Sequence, residues 1–68
     1  MLTLSKLLIA EGIQLNTFEE LTSLIQRRAE ETKAVFFQID IEPPHYIDRP
    51  SDWYDQLELA FSTARLRT

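Results

Sequence analysis

Residues 34–42 read Ala-Val-Phe-Phe-Gln-Ile-Asp-Ile-Glu. Val35, Phe37, Ile39 and Ile41 alternate with Phe36, Gln38, Asp40 and Glu42, the period of a strand with one buried face. A strand cannot stand alone, because buried backbone N–H and C=O groups need partners. The fold therefore turns on what pairs with this segment. Within the chain only Met1–Thr3 and Ile13–Leu15 are candidates, and both are very short. If Ile13–Leu15 pairs, residues 13–42 form a right-handed strand–helix–strand crossover. If neither pairs, residues 35–41 keep an open edge that a second copy or another protein could cover by strand addition.

The rest of the chain reads as helix and loop. Residues 4–11 predict a short helix with Thr3 as N-cap and Leu4, Leu7 and Leu8 on one face. Gly12, the single glycine, stands where a helix takes a left-handed C-terminal glycine, with Ile13 as the accompanying apolar contact. Residues 18–32 predict the best helix. Thr17 with Glu20 fits a capping box, and Asn16 with Glu19 fits it one residue earlier. Phe18, Leu21, Ile25 and Ala29 form its stripe, widened by Leu24, and Arg27 can pair with Glu31 on the other side. Pro43 and Pro44 stop the strand, because proline cannot donate to a ladder. Residues 43–50 follow as an irregular loop. Ser51 is the expected N-cap of a last helix whose stripe is Trp53, Leu57, Ala60, Phe61 and Ala64. The expected core is Phe18, Leu21, Ile25, Phe37, Ile39, Trp53, Leu57 and Phe61.

The order helix, helix, strand, helix gives an α+β class and one small domain over residues 1–68, its strand completed by self-association or by a partner. A chain of 68 residues buries only about 60% of its unfolded surface, and domains this small often gain stability by association. Cysteine is absent, which excludes disulfides, thiolate zinc sites and cysteine nucleophiles. No apolar run approaches the roughly 20 residues of a membrane span, and no basic-start signal segment is seen, so a cytoplasmic protein is expected.

The net charge is −4, unevenly spread. Residues 1–33 carry −1, residues 34–64 carry −5 with Arg49 as their single base, and Arg65 and Arg67 add +2. Such a surface repels phosphates and favours a partner with a basic surface. A helix-turn-helix over residues 4–32 would lead its recognition helix with Phe18, Glu19 and Glu20, carboxylates where donors and bases are needed. Nucleic-acid binding by a divergent helix pair is thus the second reading, and an accessory enzyme subunit the third.

Catalytic and metal chemistry find little footing. His45 is the single histidine, and Asp40, Glu42 and Asp48 near it make a weak ligand set. Neither a nucleophile elbow nor a phosphate-binding glycine loop is present. No enzyme activity, metal or cofactor is expected. Pro43-Pro44-His45-Tyr46 resembles the P-P-x-Y ligand of WW domains over four residues. That role needs an exposed segment free to adopt the polyproline conformation. The preferred reading is a strand stop with an anchoring tyrosine.

Several residues break the patterns. Arg28 falls between Leu21 and Leu24 on the helix, either with its stem along the core edge or in an ion pair across an interface with Asp52 or Asp55. Phe36 projects away from the buried strand face. Leu59 and Leu66, seven residues apart, lie off the Trp53 stripe and suggest a second contact face. The expected partner interface comprises Arg28, Phe36, Gln38, Asp40, Tyr46, Asp55, Leu59 and Leu66. The expected function is a small acidic regulator, inhibitor or adaptor that binds protein and forms a homodimer.

Overall fold

The computed structural model describes residues 1–67. The elements in chain order are β1 (Leu2–Thr3), α1 (Leu4–Glu11), a one-turn 3-10 segment (Gly12–Gln14), α2 (Phe18–Thr32), β2 (Phe37–Gln38) and α3 (Trp53–Arg67). Three helices and a small two-stranded parallel sheet make a mixed α+β fold.

The sheet is completed within the chain. β1 and β2 pair in parallel, Leu2 opposite Phe37 and Thr3 opposite Gln38, with α1 and α2 in the connection between them. Of the two candidate partners, the Met1–Thr3 segment is the one used. Ile13 and Gln14 lie in the 3-10 turn, and Ile13 points into solvent, so the 13–42 crossover does not form.

The strand is also far shorter than its alternation. α1 begins directly after Thr3, whose hydroxyl accepts the Lys6 N–H at 3.3 Å. Beyond Gln38 there is no strand left to pair with. The chain there is fastened by a side chain instead: the Asp40 carboxylate accepts the Ser5 N–H at 3.0 Å and the Ser5 hydroxyl. Phe37 and Ile39 are half-buried against the core, whereas Val35 is 56% exposed and Ile41 is also exposed.

The core lies between α2 and α3, with α1 closing one side. Leu21, Leu24 and Ile25 of α2 and Leu57 and Ala64 of α3 are buried, as are Leu4 and Leu7 of α1. The Phe37 ring stacks on Phe61 at 5.5 Å, which ties the sheet to α3. Trp53, expected inside, is only partly buried.

The helix ends follow local chemistry with some exchanges of role. Thr17 and Glu20 form the capping box: the Thr17 hydroxyl accepts the Glu20 N–H, and Glu20 Oε1 accepts the Thr17 N–H, both at 3.1 Å. The alternative cap by Asn16 and Glu19 is not made; the Asn16 N–H donates to Glu20 Oε1 at 2.7 Å. Gly12 is not a left-handed stop, for its φ is −60°. The left-handed position is Lys33, at the end of α2, where the Ala34 N–H reaches back to Ala29 O at 3.2 Å. α3 starts at Trp53, so Asp52 rather than Ser51 holds the cap position, and its carbonyl accepts the Gln56 N–H at 3.1 Å.

Candidate functional site

The chain from Ile39 to Asp52 has no regular structure, yet it is held at several points by charged side chains. Asp48 spans the start of α2, its two oxygens accepting the Phe18 N–H at 2.6 Å and the Glu19 N–H at 3.1 Å. The free amides of a helix start favour a carboxylate there, and these bonds, the one from Phe18 foremost, hold the Asp48 carboxyl below the usual range. Asp40 is lowered by its bonds from Ser5, the hydroxyl first. Glu42 is lowered chiefly by Arg49, whose Nη1 donates to it at 2.9 Å and to Pro43 O at 2.8 Å. The Arg49 guanidinium also stands 5.8 Å from the Trp53 ring centre.

These contacts account for the loop acids singled out from the sequence. Asp40 and Asp48 cap helices, and Glu42 holds Arg49 with His45 Nε2 at 3.3 Å from the same oxygen. Among the described residues no three His, Cys, Asp or Glu side chains gather around one point. Pro43 is fully buried, and the Tyr46 hydroxyl is buried without a hydrogen-bond partner. Burial first, then the Glu20 and Asp48 charges, raises the Tyr46 pKa. Tyr46 is thus an anchor, and with Pro43 it turns half of the P-P-x-Y segment away from solvent, but the prolines do not stop the strand, because β2 already ends at Gln38.

Arg28 is likewise used inside the chain. Its Nε donates to Glu11 Oε2 at 2.8 Å, and Arg27 approaches the other Glu11 oxygen at 3.8 Å rather than serving Glu31. The expected pairing of Arg28 with Asp52 or Asp55 is replaced by this bridge from α2 to α1.

The surface feature best suited to a partner lies at the open end of the sheet. Met1, Leu2, Thr32, Ala34, Val35 and Phe36 line a recess of about 440 Å³. A second recess of about 230 Å³ runs on between α1 and α2, walled by Lys6, Leu7, Ala10 and Arg28 and sharing Leu2 and Thr32 with the first. The walls are mainly apolar, and Phe36 is 70% exposed at the rim. A large apolar group left in water beside a concave apolar wall marks an interaction surface better than a scattered leucine does.

Of the residues expected at an interface, only Phe36 and Arg28 line this groove. Gln38 is an exposed β2 residue, Asp40 and Tyr46 serve the loop, and Asp55, Leu59 and Leu66 lie on the exposed side of α3. Sequence reasoning missed Val35, Thr32 and Lys6. Strict alternation put Val35 on the buried face, and nothing local shows that the ladder begins only at Phe37. Among the described residues no helix is long and apolar enough to cross a membrane. No family model, no curated protein and no solved structure matches the chain.

Proposed function

We propose that this protein is a non-catalytic protein-binding module, a small regulator, inhibitor or adaptor that docks its partner in the groove at the open end of the sheet. The observation that carries this reading is Phe36 with Val35, exposed together on the rim of an apolar recess of about 440 Å³. Enclosing such side chains on binding recovers about 25 cal/mol per Å² of apolar surface. The lowered carboxylates support a non-catalytic role, since each is engaged in holding the loop. The reading of α1 and α2 as a DNA-binding pair is disfavoured by Glu19, Glu20 and Asp48, which crowd carboxylates around the start of α2.

Phe36→Lys is the test, with Ile47→Lys as control, because Ile47 is 98% exposed and lies outside the groove. Both variants should keep the wild-type circular dichroism spectrum. Affinity capture from native lysate should retain a specific protein on the wild type and on the control, and lose it on Phe36→Lys. Equal retention by all three would remove the groove as the docking face. Tight, salt-sensitive binding of random duplex DNA in a mobility shift would favour the nucleic-acid reading instead.

A further inference from the structure

α3 carries a second apolar face that the core does not use. Its buried stripe is Leu57, Ala60, Phe61 and Ala64. On the opposite side lie Leu59, 58% exposed, Ser62, and Leu66, 88% exposed, at intervals of three and four residues. That spacing keeps them in one row along the helix. Charge along the helix is lopsided, with Asp55 and Glu58 in the first half and Arg65 in the second. Glu58 and Arg65 are seven residues apart, so they share one flank of the leucine row.

We propose that α3 pairs antiparallel with α3 of a second copy, about a two-fold axis between Ser62 and Thr63. In this register Leu59 of each copy packs on Leu66 of the other. Ser62, small and near the axis, lets the two backbones approach. Equivalent flanks face each other in an antiparallel pair, so Glu58 of each copy meets Arg65 of the other, twice by symmetry. A parallel pair would set this flank against the opposite one, which carries Gln56 and Thr63, and would form neither ion pair. Asp55 stands one turn before Leu59 in the same row, at the outer end of the contact and away from the axis. Four leucines and two ion pairs make a small interface, below the standard size of about 1,600 Å², and the dimer forms at concentrations on the order of 100 μM. The pair shares no residue with the groove at the sheet, so both surfaces can work at once.

Sedimentation equilibrium from about 10 μM to about 1 mM, a span around that affinity, reads the assembly directly. The wild type should move from the 8.0 kDa chain toward twice that mass. Leu59→Glu should hold it monomeric. Glu58→Arg alone and Arg65→Glu alone should each raise the dissociation constant about tenfold, the effect of replacing two attractions by repulsions. The double variant should return to within about threefold of wild type, because the pairs are re-formed with their signs exchanged. Circular dichroism confirms that each variant is folded, as all three positions are exposed. A wild type that stays monomeric at about 1 mM, or a dimer indifferent to Leu59→Glu and to charge reversal, overturns the proposal. Neither result bears on capture through Phe36.

Discussion

Lys33 has φ 51° and ψ 42°, the left-handed conformation that a lysine side chain opposes by about 1–2 kcal/mol. Gly12 sits in the right-handed region, where its freedom goes unused. The chain thus has its glycine at a position that does not need one and a side chain at the position that does. Lys33→Gly should stabilise the fold by about 1 kcal/mol in urea denaturation, by relieving that strain at the end of α2. Gly12→Ala should stabilise it by about 0.4–1 kcal/mol through the unfolded state, because a Cβ at residue 12 would meet Leu8 at 3.5 Å, an ordinary contact. A loss of more than about 1 kcal/mol for Gly12→Ala, more than backbone entropy could explain, would show that the turn after α1 needs glycine. The sequence pointed to one left-handed backbone position, Gly12 after α1, and not to Lys33 after α2. It could not show that the chain would run from α1 into a 3-10 turn with Gly12 right-handed.

Among the elements, α2 and α3 were the most legible. Each has a stripe at helical spacing, and apart from the partly buried Trp53 each stripe is buried in the contact between them. Leu21 and Leu57 are fully buried, one on each side of this contact. Leu21→Ala and Leu57→Ala should each cost about 2–5 kcal/mol in urea denaturation, much of the total for a domain whose stability is on the order of 5 kcal/mol. A cost below about 0.5 kcal/mol for both, well under the usual core value, would mean that these faces are not the core. β2 was legible in kind and not in extent. Alternation reports which residues could face a core, whereas a ladder is only as long as its partner, and β1 has two residues.

For the whole molecule, the long loop is secured by carboxylates at the starts of two helices. Asp40 accepts from Ser5 in α1, Asp48 accepts from Phe18 and Glu19 in α2, and Glu42 holds Arg49 within the loop. All three carboxyls are lowered by these bonds. A carboxyl lowered on folding adds stability that is fully present above its unfolded pKa and is lost as pH falls through its folded value. The melting temperature should therefore be flat from about pH 7 to about pH 5 and fall steadily below about pH 4. Asp48→Asn should lower it at neutral pH and make the acid decline shallower. A melting temperature unchanged down to about pH 2.5, below the usual range of these groups, would show that the three contacts contribute nothing to the fold.

What the sequence determined by itself was whatever depends on near neighbours. The helix stripes and the Thr17–Glu20 cap follow from residues within one or two turns of each other. Tertiary structure alone decided the rest. It chose β1 over Ile13–Leu15 as the partner of β2, sent Asp48 to amides 30 residues earlier in the chain, and turned Arg28 inward to Glu11. It also left Val35 and Phe36 on the rim of a groove whose walls come from both ends of the first half of the chain. The reason is physical. Periodicity and capping are properties of one element in isolation, but a buried backbone group or a charge takes whichever partner the packing brings within about 3 Å, and packing joins residues that the sequence keeps far apart.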